Sequence, residues 1–188
     1  MDHPTGHHHG CCQGGHNGEH SSRRGFLKLA TLGAGVTLMA PLTMSRPALA
    51  GSVDTLLLSC MDYRLMGHVA DYMNARNMQA NYDHVILAGA SLGALTDKKP
   101  AWGEAFWDHV AVAKDLHHIK RVIVMDHRDC GAYKVFLGMD LSPDPAKEAE
   151  VHGQYLTRLK AMVKERHPDL EVELLLMGLD GQVEKVAA

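Results

Sequence analysis

The chain has 188 residues, with 19 Lys plus Arg against 22 Asp plus Glu and a formal net charge of −3. Hydrophobic residues make up 46% and charged residues 22%, an ordinary globular balance for one main domain with a buried core. The mild negative charge argues against a nucleic-acid partner, which would need a basic face for phosphates, and four Cys are too few for a disulfide scaffold. Histidine is the unusual count, at 14.

Six of those histidines fall in the first 20 residues (His3, His7, His8, His9, His16 and His20), beside Cys11 and Cys12 and among glycines. The tract has neither helical nor strand periodicity and reads as a flexible tail, although imidazole and thiolate can chelate transition metals. Ser22-Arg23-Arg24-Gly25-Phe26-Leu27-Lys28 then leads into an uncharged stretch, Leu29 to Leu42, followed by Ala48-Leu49-Ala50. This resembles a twin-arginine export signal with a small-residue cleavage site before Gly51. Fourteen residues interrupted by Gly33, Gly35 and Pro41 are too few for a membrane anchor, which needs about 20. The resemblance implies passage through the twin-arginine translocation machinery to a periplasmic or other extracytoplasmic compartment. That route usually carries proteins already folded, often with a metal inserted. The expected division is a leader with signal peptide over 1–50 and one domain over 51–188, which keeps eight His and only Cys60 and Cys130.

Along that domain, strands and helices alternate. Val53 to Ser59 is a continuous apolar run of the kind a strand shows when both its faces are covered. Leu65, Met66, Val69, Tyr72 and Met73 recur at helical spacing, His84 to Ala88 is a second buried strand, and Trp102, Ala105, Phe106, His109, Ala113 and Leu116 mark a second helix. Arg121 to Asp126 reads as a third strand. After the loop Ser142-Pro143-Asp144-Pro145 comes a long helix through Tyr155, Leu156, Leu159, Met162 and Val163, then a fourth strand, Glu171 to Met177, and a turn at Asp180-Gly181. The expected fold is α/β: an open, mainly parallel four-stranded sheet of order 2-1-3-4, flanked by helices.

The first strand runs into Cys60-Met61-Asp62-Tyr63-Arg64, and an extended backbone would set Cys60, Asp62 and Arg64 on one face. The third strand ends in His127-Arg128-Asp129-Cys130-Gly131. A helix beginning there would bring His127 and Cys130 together and lower the pKa of the thiol at its N-terminus. Both motifs fall at carboxyl ends of strands 1 and 3, between which the strand order reverses and ligands bind in open parallel sheets. Two thiolates and an imidazole match a catalytic zinc site with one position open.

Cys-x-Asp-x-Arg after a first strand and His-x-x-Cys-Gly after a later one, together with the small-residue loop Ala88-Gly89-Ala90, resemble the β-class carbonic anhydrases over most of 53–186. The resemblance implies one Zn2+ per chain on Cys60, His127 and Cys130. It implies reversible hydration of carbon dioxide to bicarbonate by zinc-bound hydroxide, and a homodimer or higher homo-oligomer. It also casts Asp62 and Arg64 as a catalytic dyad: Arg64 holds Asp62 off the metal, and in the family's closed state Asp62 occupies the fourth position instead. The chain departs from the family at Tyr63, where Ser is usual, and at Ile86-Leu87, where Arg-Asn precedes the small-residue loop; it also has little N-terminal helical arm.

A Cys60–Cys130 disulfide is the rival reading in an oxidising compartment, but it leaves His127, Asp62 and Arg64 without a joint explanation. A catalytically inactive zinc-binding protein, or a carbonyl sulfide or carbon disulfide hydrolase on the same scaffold, are the alternative functions. His117 and His118 point in different directions on a helix and read as surface residues. His68, His84, His109 and His152 read as packing or solvent contacts, His167 as a helix-end residue whose positive charge is favoured, the 11 Met as core filler, and Trp102 and Trp107 as anchors of the second helix or of a subunit contact.

Overall fold

The computed structural model describes residues 53–187; the leader, the twin-arginine segment and the Ala48-x-Ala50 site lie outside the described residues. The elements run β1 (Thr55–Cys60), α1 (Met66–Ala75), β2 (Asp83–Leu87), α2 (Ser91–Leu95), α3 (Pro100–His117), β3 (Arg121–His127), α4 (Gly131–Leu137), α5 (Pro145–Arg166), β4 (Glu171–Met177) and β5 (Val183–Lys185). They build one sheet of order β2-β1-β3-β4-β5. The first four strands are parallel and keep the expected 2-1-3-4 order. A fifth strand extends the sheet beyond the four expected: the turn at Asp180-Gly181 reverses the chain, and β5 pairs antiparallel with β4, Met177 opposite Val183.

The covering of the sheet follows from strand alternation. Leu56, Leu58, Val122, Val124 and Leu174 face a core shared with α2, α3, α4 and α5, in which Phe106, Val110, Tyr133, Leu156 and Leu159 are buried. Leu57, Ile123, Met125, Leu175 and Met177 point the other way, onto Leu65, Val69 and Met73 of α1 and its approach. The chain steps from β1 to β2 in one direction and from β2 across β1 to β3 in the other. Crossovers of one hand therefore put α1 on one face and the later helices on the opposite face. With apolar side chains on both faces, β1 is buried at every position, which is why its sequence shows no polar alternation.

Local signals set the helix ends. Pro100 and Pro145 open α3 and α5, where a missing N–H costs nothing. The Asp144 side chain caps α5, accepting from the backbone N–H groups of Ala146 and Lys147. His118, in the left-handed region at φ 57°, closes α3, and Gly138 closes α4. The two tryptophans anchor α3 as expected: Trp102 meets Phe136 edge-on, and Trp107 packs on Phe106 and under the Arg166 guanidinium. His117 and His118 are exposed, with His117 paired to Asp83. His167 does lie at a helix end, but burial and the nearby Lys114 lower its pKa, so its positive charge is disfavoured there, contrary to the macrodipole expectation.

Candidate metal centre

The parallel pairing of β1 with β3 sets Ser59 beside Met125, so that both strands end at the same edge of the sheet. Cys60 is the last residue of β1 and His127 the last of β3. Cys130 sits at the N-cap of α4. Donor atoms of these three buried residues lie within 4.8 Å of one another, the only such group among the described residues. The two sulfurs are 3.9 Å apart and unbonded, against about 2.05 Å in a disulfide, so the disulfide reading does not describe this structure.

Two expectations about local geometry are corrected. Residues 61–64 are not extended: β1 ends at Cys60, and a turn follows in which the Arg64 N–H donates to Asp62 Oδ1 at 3.0 Å. Asp62 and Arg64 meet through this turn, not by sharing a strand face. Likewise His127 and Cys130 do not share a helix, because α4 begins only at Gly131. A short loop joins them, with Asp129 in the left-handed region at φ 54°, a strained position for a side chain other than glycine.

The donors are individually prepared. The His127 Nδ1–H donates to the Arg128 carbonyl oxygen at 2.8 Å, which fixes the tautomer and leaves the Nε2 lone pair toward the thiols. That Nε2 is buried and has no hydrogen-bond partner. An orphaned buried nitrogen facing two free thiols is what a metal ligand set looks like, and the residues present fit a zinc ion. The Gly89 N–H donates to Cys60 Sγ at 3.2 Å. Gly89 is required there: its φ is +78°, and a Cβ would lie 3.0 Å from that of Ala132.

Electrostatics separate the two thiols. The Cys130 thiol hydrogen bond, helped by His127 and the Gly89 N–H, lowers Cys60 to about 4 against the cost of burial. The thiolate this creates, together with burial, pushes Cys130 up. At Cys130 the neighbouring sulfur and burial act against the lowering expected at a helix N-terminus. Burial disfavours a charged His127, yet its contact with Cys60 raises its pKa overall.

Asp62 stands at the rim, with Oδ2 3.9 Å from His127 Nε2, and lies outside the three-donor group. Arg64 grips it through Nε to Oδ1 at 3.0 Å and Nη2 to Oδ2 at 2.8 Å, holding its carboxyl below the usual range. The same guanidinium reaches Asp129, donating to its carboxylate at 2.8 Å and to its carbonyl at 2.9 Å. In front lies an open cleft of about 640 Å³ with a largely apolar wall that includes Met61, Tyr63, Trp102, Val135 and Phe136.

Sequence reasoning missed a second buried cluster. Asp126, 1% exposed, accepts from the Ser91 N–H and hydroxyl, from the Tyr133 hydroxyl at 2.7 Å and from His152 Nδ1 at 2.9 Å. By sequence His152 reads as a packing or solvent contact; only its neighbours in space reveal this partnership. Alternation explains why consecutive residues do different work: Asp126 points to the face covered by α2, α3, α4 and α5, while His127 points to the face covered by α1.

An α/β protein with a two-cysteine, one-histidine cluster at the switch point of its sheet is the class these observations define. Residues 52–187 match the family described as "Putative carbonic anhydrase", and the chain belongs to that family. An uncharacterised protein of Rickettsia conorii is 39% identical over 132 residues, 70% of this chain and 71% of that protein. Among solved structures, a carbonic anhydrase from Glaciozyma antarctica is similar with a TM-score of 0.49 and 18% identity, covering 74% of this chain and 85% of that one. A carbonic anhydrase from Streptococcus mutans gives 0.47 and 17%, with 72% and 82% covered.

Asp126→Asn puts an amide among four donors and removes the charge they share. Chemical denaturation is expected to show a loss of about 3–5 kcal/mol; a loss below about 1 kcal/mol contradicts a tightly satisfied network.

Proposed function

We propose that the chain is an exported, zinc-dependent carbonic anhydrase of the β class that interconverts carbon dioxide and bicarbonate. The observation that carries this reading is the Cys60–His127–Cys130 cluster with the Arg64-held carboxylate of Asp62 at its rim, in a chain of the carbonic anhydrase family. Cys60, His127 and Cys130 would hold the zinc. Two thiolates balance its charge, and the N–H of Gly89 supports one of them. Zinc in such a site supplies the Lewis acidity that makes water a nucleophile near neutral pH, as it does in carbonic anhydrases with three histidine ligands.

The chain's own groups do the rest. Arg64 pins both oxygens of Asp62, so the carboxylate faces the cluster as an acceptor and orients the attacking water through a hydrogen bond. Arg64's grip on Asp62 would keep that carboxylate from serving as a fourth donor and would leave a position for water, as in the open arrangement. The apolar wall of the cleft suits a linear, uncharged substrate and leaves bicarbonate poorly solvated there, favouring its departure. The same wall, with Ile86-Leu87 preceding Ala88 at its edge, favours carbonyl sulfide or carbon disulfide as a second reading.

Apolar side chains crowd the rim: Tyr63 is 85% exposed and Val135 74%. Covering them against a second copy suits a homodimer or larger homo-oligomer, and sedimentation at micromolar concentration giving only monomer would contradict it. Among the described residues no helix is long and apolar enough to cross a membrane.

The purified domain is expected to contain about one zinc per chain and to hydrate carbon dioxide in a stopped-flow assay. Asp62→Ala is expected to abolish turnover while metal content stays unchanged. Stoichiometric zinc without hydration across neutral to alkaline pH sinks the enzyme reading. For export, replacing Arg23 and Arg24 together by Lys should retain the full chain in the cytoplasm of a host with twin-arginine transport; fractionation showing unchanged secretion contradicts that route.

A further inference from the structure

We propose that Glu148 is a positioning residue for the metal cluster: from the first turn of α5 it fixes the backbone between His127 and Cys130, and with it the spacing of the donors. The inference rests on reading the cluster as a zinc site. Glu148 is a carboxylate only 4% exposed, on a helix whose charged residues otherwise face water. Apart from its own helix, its hydrogen bonds go to the two residues that separate the ligands. Its Oε1 accepts the backbone N–H of Asp129 at 2.5 Å, and its Oε2 accepts Arg128 Nη1 at 3.3 Å.

That connection has a purpose in the backbone. Asp129 is in the left-handed region, which residues other than glycine adopt sparingly and keep where the surroundings favour it. Glu148 enforces it from one side by taking the N–H. Arg64 enforces it from the other by holding the Asp129 carbonyl and carboxylate. Arg128 adds a second tie, donating to the Pro145 carbonyl oxygen at 3.2 Å and to Glu184 at 3.1 Å. The start of α5 is itself fixed by the Asp144 cap and by the Glu148 N–H donating to the Asp144 carbonyl oxygen at 2.9 Å. A continuous chain thus runs from Glu148 through Asp129 and Arg64 to Asp62, coupling the loop that carries two donors to the carboxylate at the rim. A conformation left to the loop alone would let Cys130 drift from His127, and metal geometry tolerates only a few tenths of an ångström.

A purely structural glutamate would change stability and leave the metal site alone. The test is therefore the affinity of purified, reduced protein for zinc and cobalt, measured by competition with a chromophoric chelator, alongside the absorption spectrum of the cobalt form. Glu148→Gln keeps a carbonyl oxygen for the Asp129 N–H and is expected to stay within about threefold of the unaltered protein. Glu148→Ala leaves that N–H unpaired and should bind both metals about tenfold or more weakly, with shifted cobalt bands. An Ala variant with unchanged affinity and spectrum overturns the proposal, whatever its melting temperature. If Glu148→Ala does not fold, Glu148→Asp, which withdraws the carboxylate by one methylene, decides in its place: a tenfold loss supports the role and unchanged binding overturns it. Unaltered protein that binds neither metal sinks the zinc reading itself, whereas normal binding there with an unaffected variant sinks only the role of Glu148.

Discussion

Cys60 and Cys130 are 70 positions apart in the chain, yet their sulfurs are 3.9 Å apart, because β1 and β3 lie side by side and end together. The parallel pairing of these two strands is the constraint on which the rest of the molecule depends. It requires the chain to leave β1 for β2 and return across it, which puts α1 alone on one face and the other helices on the opposite face. It also creates a crevice at the carboxyl ends where no crossover covers the sheet, and both cysteine-bearing loops open there. Register matters as much as order: a slip of one residue in β3 would exchange the faces of Asp126 and His127, burying the wrong group at the cluster.

Around that fixed point the polar groups form two systems that meet at the β3–α4 loop. Under α2, α4 and α5, Asp126 gathers Ser91, Tyr133 and His152 and ties those helices to the sheet. Outside it, Arg64 links Asp62 to Asp129. The exposed part of that second system gains little from Coulomb attraction in water. Its worth lies in direction, since a guanidinium fork sets where each carboxylate oxygen points.

Much of this was legible in the sequence. The apolar run of β1 announces a strand buried on both faces, those of β3 and β4 announce strands, and the spacing of Trp102, Phe106, His109 and Ala113 announces α3. The run at His84–Ala88 also reads as a buried strand, but β2 is the sheet's edge and only Val85 in it is buried. The donor set followed from where the strands end. What escaped has physical reasons. Ser91–Leu95 is too short and too uniformly buried to show an amphipathic period, and Val183–Lys185 is a three-residue polar edge. Glu148 sits in a helical first turn, where an acid reads as a solvated complement to the dipole. Strand alternation brings Asp62 and Arg64 together just as the turn does, so the sequence pattern does not distinguish the two geometries. The thiol shifts were invisible because they arise from one sulfur acting on another across the sheet.

The proposed function requires the sulfurs of Cys60 and Cys130 and the imidazole of His127 to hold one ion. X-ray absorption at the zinc edge of the purified protein measures that shell directly. Two sulfurs near about 2.3 Å, one histidine nitrogen near about 2.0 Å and one further light atom are expected. A shell without sulfur, or one made of oxygen alone, would contradict it.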